Sequence, residues 1–361
     1  MPILSALGPL GRAVFLATMA TSVVALTMAW LMHIGGTPIF IVSALGILGL
    51  AYVIGTATER LGALTSAQIG GVLNATFGNI AELTIAFFAL AAGQLEVVKA
   101  SITGSIIGNL LLVLGISLVL GGLRHGAQRF SARTAGLDAT LLVLAVIGLF
   151  VPAIFAISNS VGSGPDPRIR ESVAVALVLL VLYGLNLAYR LRHPESVPGN
   201  EPSADAGAAW SGRTALLVLI VAALTMAVLS EQLVEAIDPF IASFALTPFF
   251  VGIIVIPTVG NLAEQLVAVR LAMKDRIDFT MAVSIGASLQ VALFVAPVLV
   301  LLGLVVGQPM DLVFTPLEIA AVTAAAGIAA LVALDGESTW LEGALLLGVY
   351  LIAAVSFFFL A

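Results

Sequence analysis

Two glutamates stand deep inside long apolar runs, and the same unusual neighbours precede each. Thr76-x-Gly78-Asn79-x-Ala81-Glu82 and Thr258-x-Gly260-Asn261-x-Ala263-Glu264 share five identities at one spacing, in a chain with only seven Asn. If the runs cross a bilayer, a charge at that depth costs ~2.5–3.5 kcal/mol, so such residues are functional by default. Asn79 and Glu82 are i,i+3 and share a helix face, as do Asn261 and Glu264. Gly78 and Gly260 permit a helix break or a close backbone approach. Pro257 lacks a backbone donor and frees a carbonyl in the same turn. Further oxygens stand on the following runs: Ser105 with Asn109 and Ser284 with Ser288, both i,i+4, and Gln290.

A pocket of two carboxylates with amide, hydroxyl and carbonyl oxygens is what a hard divalent cation such as Ca²⁺ selects. Two neighbouring carboxylates in low dielectric resist being ionised together, and a divalent ion reverses that preference. Ca²⁺ and H⁺ therefore compete for Glu82 and Glu264, which is the minimum requirement for exchange. Counting charge gives two protons per Ca²⁺. Other acids, Glu59, Asp138, Glu231, Glu235 and Glu318, fall near the ends of apolar runs and are expected to be interfacial and solvated. Glu59 and Glu231 among them are candidates for proton entry.

The elements that must hold this pocket follow from composition. Of 361 residues, 61% are hydrophobic and 9% charged, where soluble domains carry about 25% charged residues. A spanning helix needs about 20 predominantly apolar residues, and eleven such runs are expected, near 13–33, 38–58, 70–92, 97–121, 135–157, 172–192, 214–236, 246–272, 279–306, 313–334 and 340–360. The fold class is thus all-α and polytopic. The runs are continuous rather than alternating, which excludes a β-barrel. The first is too long for a signal-peptide core and is expected to remain in the mature protein.

The chain has no Cys, which removes disulfides, thiolate nucleophiles and sulfur-ligated metal centres. His33, His125 and His193 are scattered. No catalytic metal, HExxH motif or deep Lys suggests an intramembrane enzyme, and no cofactor is implied beyond the transported ion. The net charge of −6 is thinly spread and no basic cluster suggests nucleic acid. Lys and Arg favour cytoplasmic loops. Eleven of them (Arg12, Arg60, Arg124, Arg129, Arg133, Arg190, Arg192, Arg213, Arg270, Lys274 and Arg276) share the side of the N-terminus, against Lys99, Arg168 and Arg170 opposite. The N-terminus is expected in the cytoplasm and the C-terminus outside, with the lipid bilayer as surroundings and the short loops pointing to a prokaryotic plasma membrane. Nothing in the sequence fixes an oligomeric state.

Sliding the chain by 182 residues aligns 76–121 with 258–303 at 12 of 46 positions without a gap. The third, fourth and fifth spans then match the eighth, ninth and tenth. Five spans per half is odd, so the halves are inverted, the architecture of many secondary transporters with midplane binding sites. The division is 1–36 as an extra helix, 37–192 as the first repeat, 193–212 as a Pro/Gly/acidic linker and 213–361 as the second repeat. Glu195, Glu201 and Asp205 in the linker are a candidate regulatory cation site, against the plainer reading of a solvated tether.

The run Asn74 to Leu83, followed by Gly104-Ser105-Ile106-Ile107-Gly108-Asn109, resembles the first signature of the Ca²⁺/H⁺ antiporter (cation/proton exchanger) family. Gly260 to Glu264, Met273 to Asp278, Gly286 to Gln290 and Phe294 to Pro297 resemble the second. The resemblance implies an eleven-helix fold, Glu82 and Glu264 as alternating Ca²⁺ ligands and proton acceptors, Asn79 and Asn261 in support, and Ser105, Asn109, Ser288 and Gln290 lining the pathway. Gln265 stands where the family commonly has His and Ala287 where Ser is usual, so pH sensing and selectivity are open to change. Na⁺-coupled Ca²⁺ exchange and monovalent cation/H⁺ exchange are the alternatives on the same fold.

Overall fold

A computed structural model of the chain describes residues 9–30, 36–65, 73, 76–158, 167–192 and 210–359. His33, His193, Asn74, Ala75 and the acidic linker residues Glu195, Glu201 and Asp205 lie outside the described residues. The bundle consists of α1 (Pro9–Trp30), α2 (Thr37–Leu64), α3 (Ile80–Ala91), α4 (Leu95–His125), α5 (Ala132–Ser158) and α6 (Arg168–Arg192). It continues with α7 (Gly212–Glu235), α8 (Pro248–Ala272), α9 (Ile277–Val306), α10 (Pro316–Val332) and α11 (Trp340–Phe358). Among the described residues nine helices are long and apolar enough to cross a membrane, while α3 and α10 are shorter apolar helices on the expected spans 70–92 and 313–334.

Both shortened helices have local causes. The chain turns at Gly78–Asn79 and restarts at Ile80 with Asn79 as N-cap. In α10, Pro316 occupies the first turn, and Thr315 and Glu318 form a reciprocal capping box that fixes the start. One element escaped the sequence reading. A short helix, Ile237–Phe244, follows α7 and ends at Ala245 in the left-handed region, φ 50°. Its Phe240 stacks on Phe40 at 4.0 Å between centroids. It fills the connection between the expected spans 214–236 and 246–272, too short to register as a membrane span.

Contacts between helix ends sort the connections onto two faces. On one face, β1 (Gln128–Arg129) pairs antiparallel with β2 (Glu337–Ser338). There Gln128 Nε2 donates to Asp275 Oδ1 at 2.8 Å, and Ser131 N donates to Asp278 Oδ1 at 2.6 Å. Arg60 Nε also reaches the Trp210 carbonyl at 2.9 Å, so the end of the expected linker is packed against α2. On the other face, Lys99 pairs with Asp311 and donates to the Val313 carbonyl at 3.1 Å. Thr37 meets Ser243 at 2.8 Å there, and Leu312 N donates to Ser172 Oγ at 3.0 Å.

Helix packing recurs between the halves. α4 packs against α11 as α9 packs against α6, and α9 against α5 as α4 against α10. The α2–α7 pair is extensive, with Gly46 admitting Leu229 of α7, and α1 is peripheral, resting on α2 where Gly49 admits Thr18. Two acids expected at a solvated interface are instead buried. Asp138 is 3% exposed and ion-paired with Arg190; Glu318 is 2% exposed and accepts from Thr103 Oγ1 at 2.8 Å. Each found a partner inside the bundle, which apolar patterning along one strand of sequence does not reveal. Glu59, Glu231 and Glu235 are exposed, as expected.

Candidate functional site

The two signature segments meet at the centre of the bundle. α3 starts at Ile80, so Glu82 sits in its first turn, and the helix lies against α8. Gly260 of α8 is the contact: a Cβ there would come within 2.8 Å of Glu82 Cγ. The close-approach role of Gly260 is thus realised, whereas its role as a break is not, because α8 runs through it as continuous α-helix. Gly78 does break its helix. The difference follows from Pro257, which places the irregularity of α8 earlier, in a π turn at Val251–Val255.

Each signature asparagine crosses to the other half of the chain. Asn79 Nδ2 donates to Gln290 Oε1 of α9. Asn261 Nδ2 donates to Ser105 Oγ of α4 at 3.2 Å. The partners are not repeat equivalents: Ser105 corresponds to Ala287, which has no hydroxyl, and Gln290, three residues on, supplies the oxygen instead. Ser288 Oγ donates to its own helix at Ser284 O, 3.0 Å, and lies 3.4 Å from the carbonyl of Ile106. Asn109 is 3% exposed within a second π turn, Gly108–Val113, with its amide nitrogen unpartnered.

The site leaves buried oxygen atoms without hydrogen-bond donors. Both carboxylate oxygens of Glu82 and Oδ1 of Asn79 are orphaned, with Glu82 7% and Asn79 2% exposed. Ser105 and Asn261 approach the Glu82 carboxylate, but outside hydrogen-bond geometry. Glu264 is half-buried and repels Glu82 electrostatically. Buried polar atoms in native proteins are normally paired, so an acceptor-only cluster of this kind fits a cation. Among the described residues no three His, Asp or Glu form a ready metal cage. The cluster offers two carboxylates, Glu82 and Glu264, beside the neutral oxygen of Asn79.

The three π turns were not expected from the sequence. Two of them, Val251–Val255 and Val291–Val295, end two residues before Pro257 and Pro297. Proline lacks N–H and its ring collides with the carbonyl four residues back, and a wider turn relieves both. The turns at Gly108–Val113 and Val291–Val295 fall at equivalent repeat positions, beside Asn109 and Gln290. The two prolines were the available signal for two of the three.

The chain is similar to known proteins in sequence and in fold. The model of the family described as sodium/calcium exchanger protein matches residues 35–192 and again 214–359. A Ca²⁺/H⁺ antiporter of Aphanothece halophytica is 42% identical over 312 residues, 81% of this chain and 82% of that protein. The Ca²⁺/H⁺ antiporter ChaA of Bacillus subtilis is 39% identical over 81% of this chain and 84% of its own. Among solved structures, native YfkE superposes with a TM-score of 0.82 at 36% identity, covering 96% of this chain and all of the other. The H⁺/Ca²⁺ exchanger CAX shares the fold, with a TM-score of 0.77 at 15% identity over 98% and 93% of the two chains. Matched twice over by one family model and closely similar to full-length relatives, the chain belongs to the sodium/calcium exchanger protein family.

Proposed function

We propose that this protein is a secondary antiporter that exchanges Ca²⁺ for protons, with Glu82 and Glu264 holding either the ion or the protons at one shared site. The observation that carries the reading is the pairing of repeat-equivalent glutamates beside orphaned buried oxygens, Glu82 Oε1 and Oε2 and Asn79 Oδ1. Ca²⁺ satisfies such oxygens directly. When it leaves, two close carboxylates in low dielectric take up protons in its place, and charge balance gives two H⁺ per Ca²⁺. Asn79 and Asn261 hold the segments together through Gln290 and Ser105. Ser288 and Asn109 line the wall between α4 and α9. The names of the relatives, Ca²⁺/H⁺ antiporters, favour protons over Na⁺ as the coupling ion.

The working unit is two inverted five-helix halves, 37–192 and 213–361, with 1–36 as an added helix and 193–212 as a tether. The excess of Lys and Arg on the face of β1 and β2 orients the N-terminus and that face toward the cytoplasm. A prokaryotic plasma membrane fits this arrangement, with Ca²⁺ exported as protons enter.

The test is Ca²⁺ uptake into inside-out vesicles, acid inside, for wild type, Glu82→Gln and Glu264→Gln. Uptake driven by the pH gradient and abolished in both variants is the expected result. Uptake that survives collapse of the gradient and requires Na⁺ would transfer the coupling to Na⁺.

A further inference from the structure

Glu318 is buried, although its capping box asks only that the carboxylate reach the Thr315 N–H, which an exposed side chain does equally well. One oxygen, Oε2, accepts from Thr315 N at 2.8 Å and closes the box. The other, Oε1, accepts from Thr103 Oγ1 of α4 at 2.8 Å. Burying a carboxylate is costly unless it is hydrogen-bonded. A bond to an ionised oxygen is also stronger than one to the Ala100 carbonyl, 3.0 Å away, which the threonine hydroxyl would otherwise take. At the 182-residue offset Thr103 corresponds to Ile285 and Glu318 to Gly136, so α9 has no such bond to α5.

The grip on α4 extends over two turns. Lys99 precedes Thr103 by four residues and shares its face; it is ion-paired with Asp311 and donates to the Val313 carbonyl at 3.1 Å. Segment 311–318 is in turn held from behind. Leu312 N donates to Ser172 Oγ of α6 at 3.0 Å, and Phe314 packs edge-on against Phe150 of α5 at 5.4 Å between centroids. The cation site stands on the other side of α4. Thr103 and Ser105 are two residues apart, about 200° around a helix, so Ser105 leaves the opposite face and meets Asn261 there. Between them Gly104 lies directly on the Ile253 carbonyl of α8. The Asn261 Nδ2 to Ser105 Oγ distance of 3.2 Å is at the long end of the N–H···O range. A small rotation of α4 is enough to break it.

We propose that Glu318 is a positioning residue for the cation site. Through Thr103 it sets the rotation of α4, and so the bond from Asn261 to Ser105 that holds the second signature segment beside Glu82. Glu318 is not itself a ligand; it acts from behind the helix. Its effect on Ca²⁺ rests on the exchange reading, whereas its effect on the packing of α8 holds for any ion.

Thr103→Val removes the hydroxyl and keeps the shape of the side chain, and Thr103→Ser keeps the hydroxyl. In vesicle uptake, Thr103→Val is expected to raise the Ca²⁺ concentration for half-maximal rate at least fivefold, with Thr103→Ser within twofold of wild type. Glu318→Gln, with one acceptor oxygen left for two donors, is a milder second variant expected to move the same quantity in the same direction. In a Ser105→Ala background, Thr103→Val should add less than twofold, because the bond it acts through is already gone. A plain brace would lower thermal stability and leave the half-saturating concentration unchanged; that result, or full additivity with Ser105→Ala, overturns the proposal. Amide hydrogen exchange at 258–264 of α8, across α4 from Thr103, supplies a readout independent of the ion. It is expected to be at least fivefold faster in Thr103→Val and unchanged in Thr103→Ser, and no response in Thr103→Val would also overturn the proposal. Absence of proton-driven Ca²⁺ uptake in wild type, with the exchange response of α8 intact, would instead remove the ion assignment and leave the positioning role standing.

Discussion

Ser288 Oγ lies 3.4 Å from the backbone carbonyl of Ile106, and the two residues occupy the same position at the 182-residue repeat offset. A residue can touch its own repeat equivalent only near the axis that relates the repeats. The α4–α9 crossing therefore lies on the pseudo-twofold axis, and the Glu82–Glu264 pair, also repeat equivalents, interacts across it. Groups on that axis face both signature segments equally. Ser288→Ala removes one hydrogen bond, to Ser284 O, and a longer polar contact with the Ile106 carbonyl, so its cost is expected below about 1.5 kcal/mol. Ser288→Leu adds bulk where the halves cross and is expected to cost more and to slow exchange. Thermal unfolding in detergent and vesicle uptake together check both.

Gly260→Ala puts a methyl group within 2.8 Å of Glu82 Cγ. Overpacking of this kind costs about 1–3 kcal/mol, and here the strain falls on the carboxylate proposed to bind the ion. Strong loss of Ca²⁺ uptake with a folded protein is expected. Gly327→Ala in α10, where a Cβ meets nothing within 4 Å, is the control and is expected to be neutral. Equal effects would mean that the α8–α3 approach is not what matters.

The two asparagine bridges are expected to behave as separate units. Asn79 is tied to Gln290 and Asn261 to Ser105. In double-mutant cycles on Ca²⁺ transport, Asn79→Ala with Gln290→Ala should couple by about 0.5–3 kcal/mol, as contacting residues do. Asn261→Ala with Ser105→Ala should couple likewise. Strong coupling between Asn79 and Ser105 would show a single shared network instead.

Asp138 and Arg190 test a purely structural acid. The Asp138 side chain is 4% exposed and its partner 24%. Removing one member of a buried pair typically costs about 3–5 kcal/mol, because the other charge is left unpaired. Asp138→Asn is expected to lower thermal stability sharply, while Asp138→Asn with Arg190→Met recovers much of it. Full recovery of stability without recovery of transport would assign this pair a part in exchange.

Much of this molecule was legible because rare residues repeat. Glu82, Glu264 and their asparagines stood out against Leu, Ala and Val, and the apolar runs are long enough to mark helices without ambiguity. What escaped depends on partners from distant sequence. Glu318 and Asp138 read as solvated because nothing near them in sequence names Thr103 or Arg190. The π turns escaped because helix period is judged over many residues and a single widened turn barely shifts it. The break at Gly78 and the continuity at Gly260 were indistinguishable by residue type, and the proline at 257 alone separates the two segments.

Ca²⁺ itself supplies the remaining test. A ligand that binds the folded state stabilises it by RT ln(1 + [L]/Kd), about 2.7 kcal/mol at a hundredfold excess over Kd. On the proposed site the orphaned oxygens of Glu82 and Asn79 would gain the ion as a partner, so Ca²⁺ is expected to raise the unfolding temperature of the wild-type protein by several degrees. Glu82→Gln and Glu264→Gln should each remove that response, because each halves the charge facing the ion. Glu59→Gln, exposed at the end of α2, should keep it. Acid should also remove the response, since in the proposed exchange protons and Ca²⁺ compete for the same carboxylates. A Ca²⁺ shift that persists in both glutamine variants would place the bound ion elsewhere in the protein and detach the paired carboxylates from the transported cation.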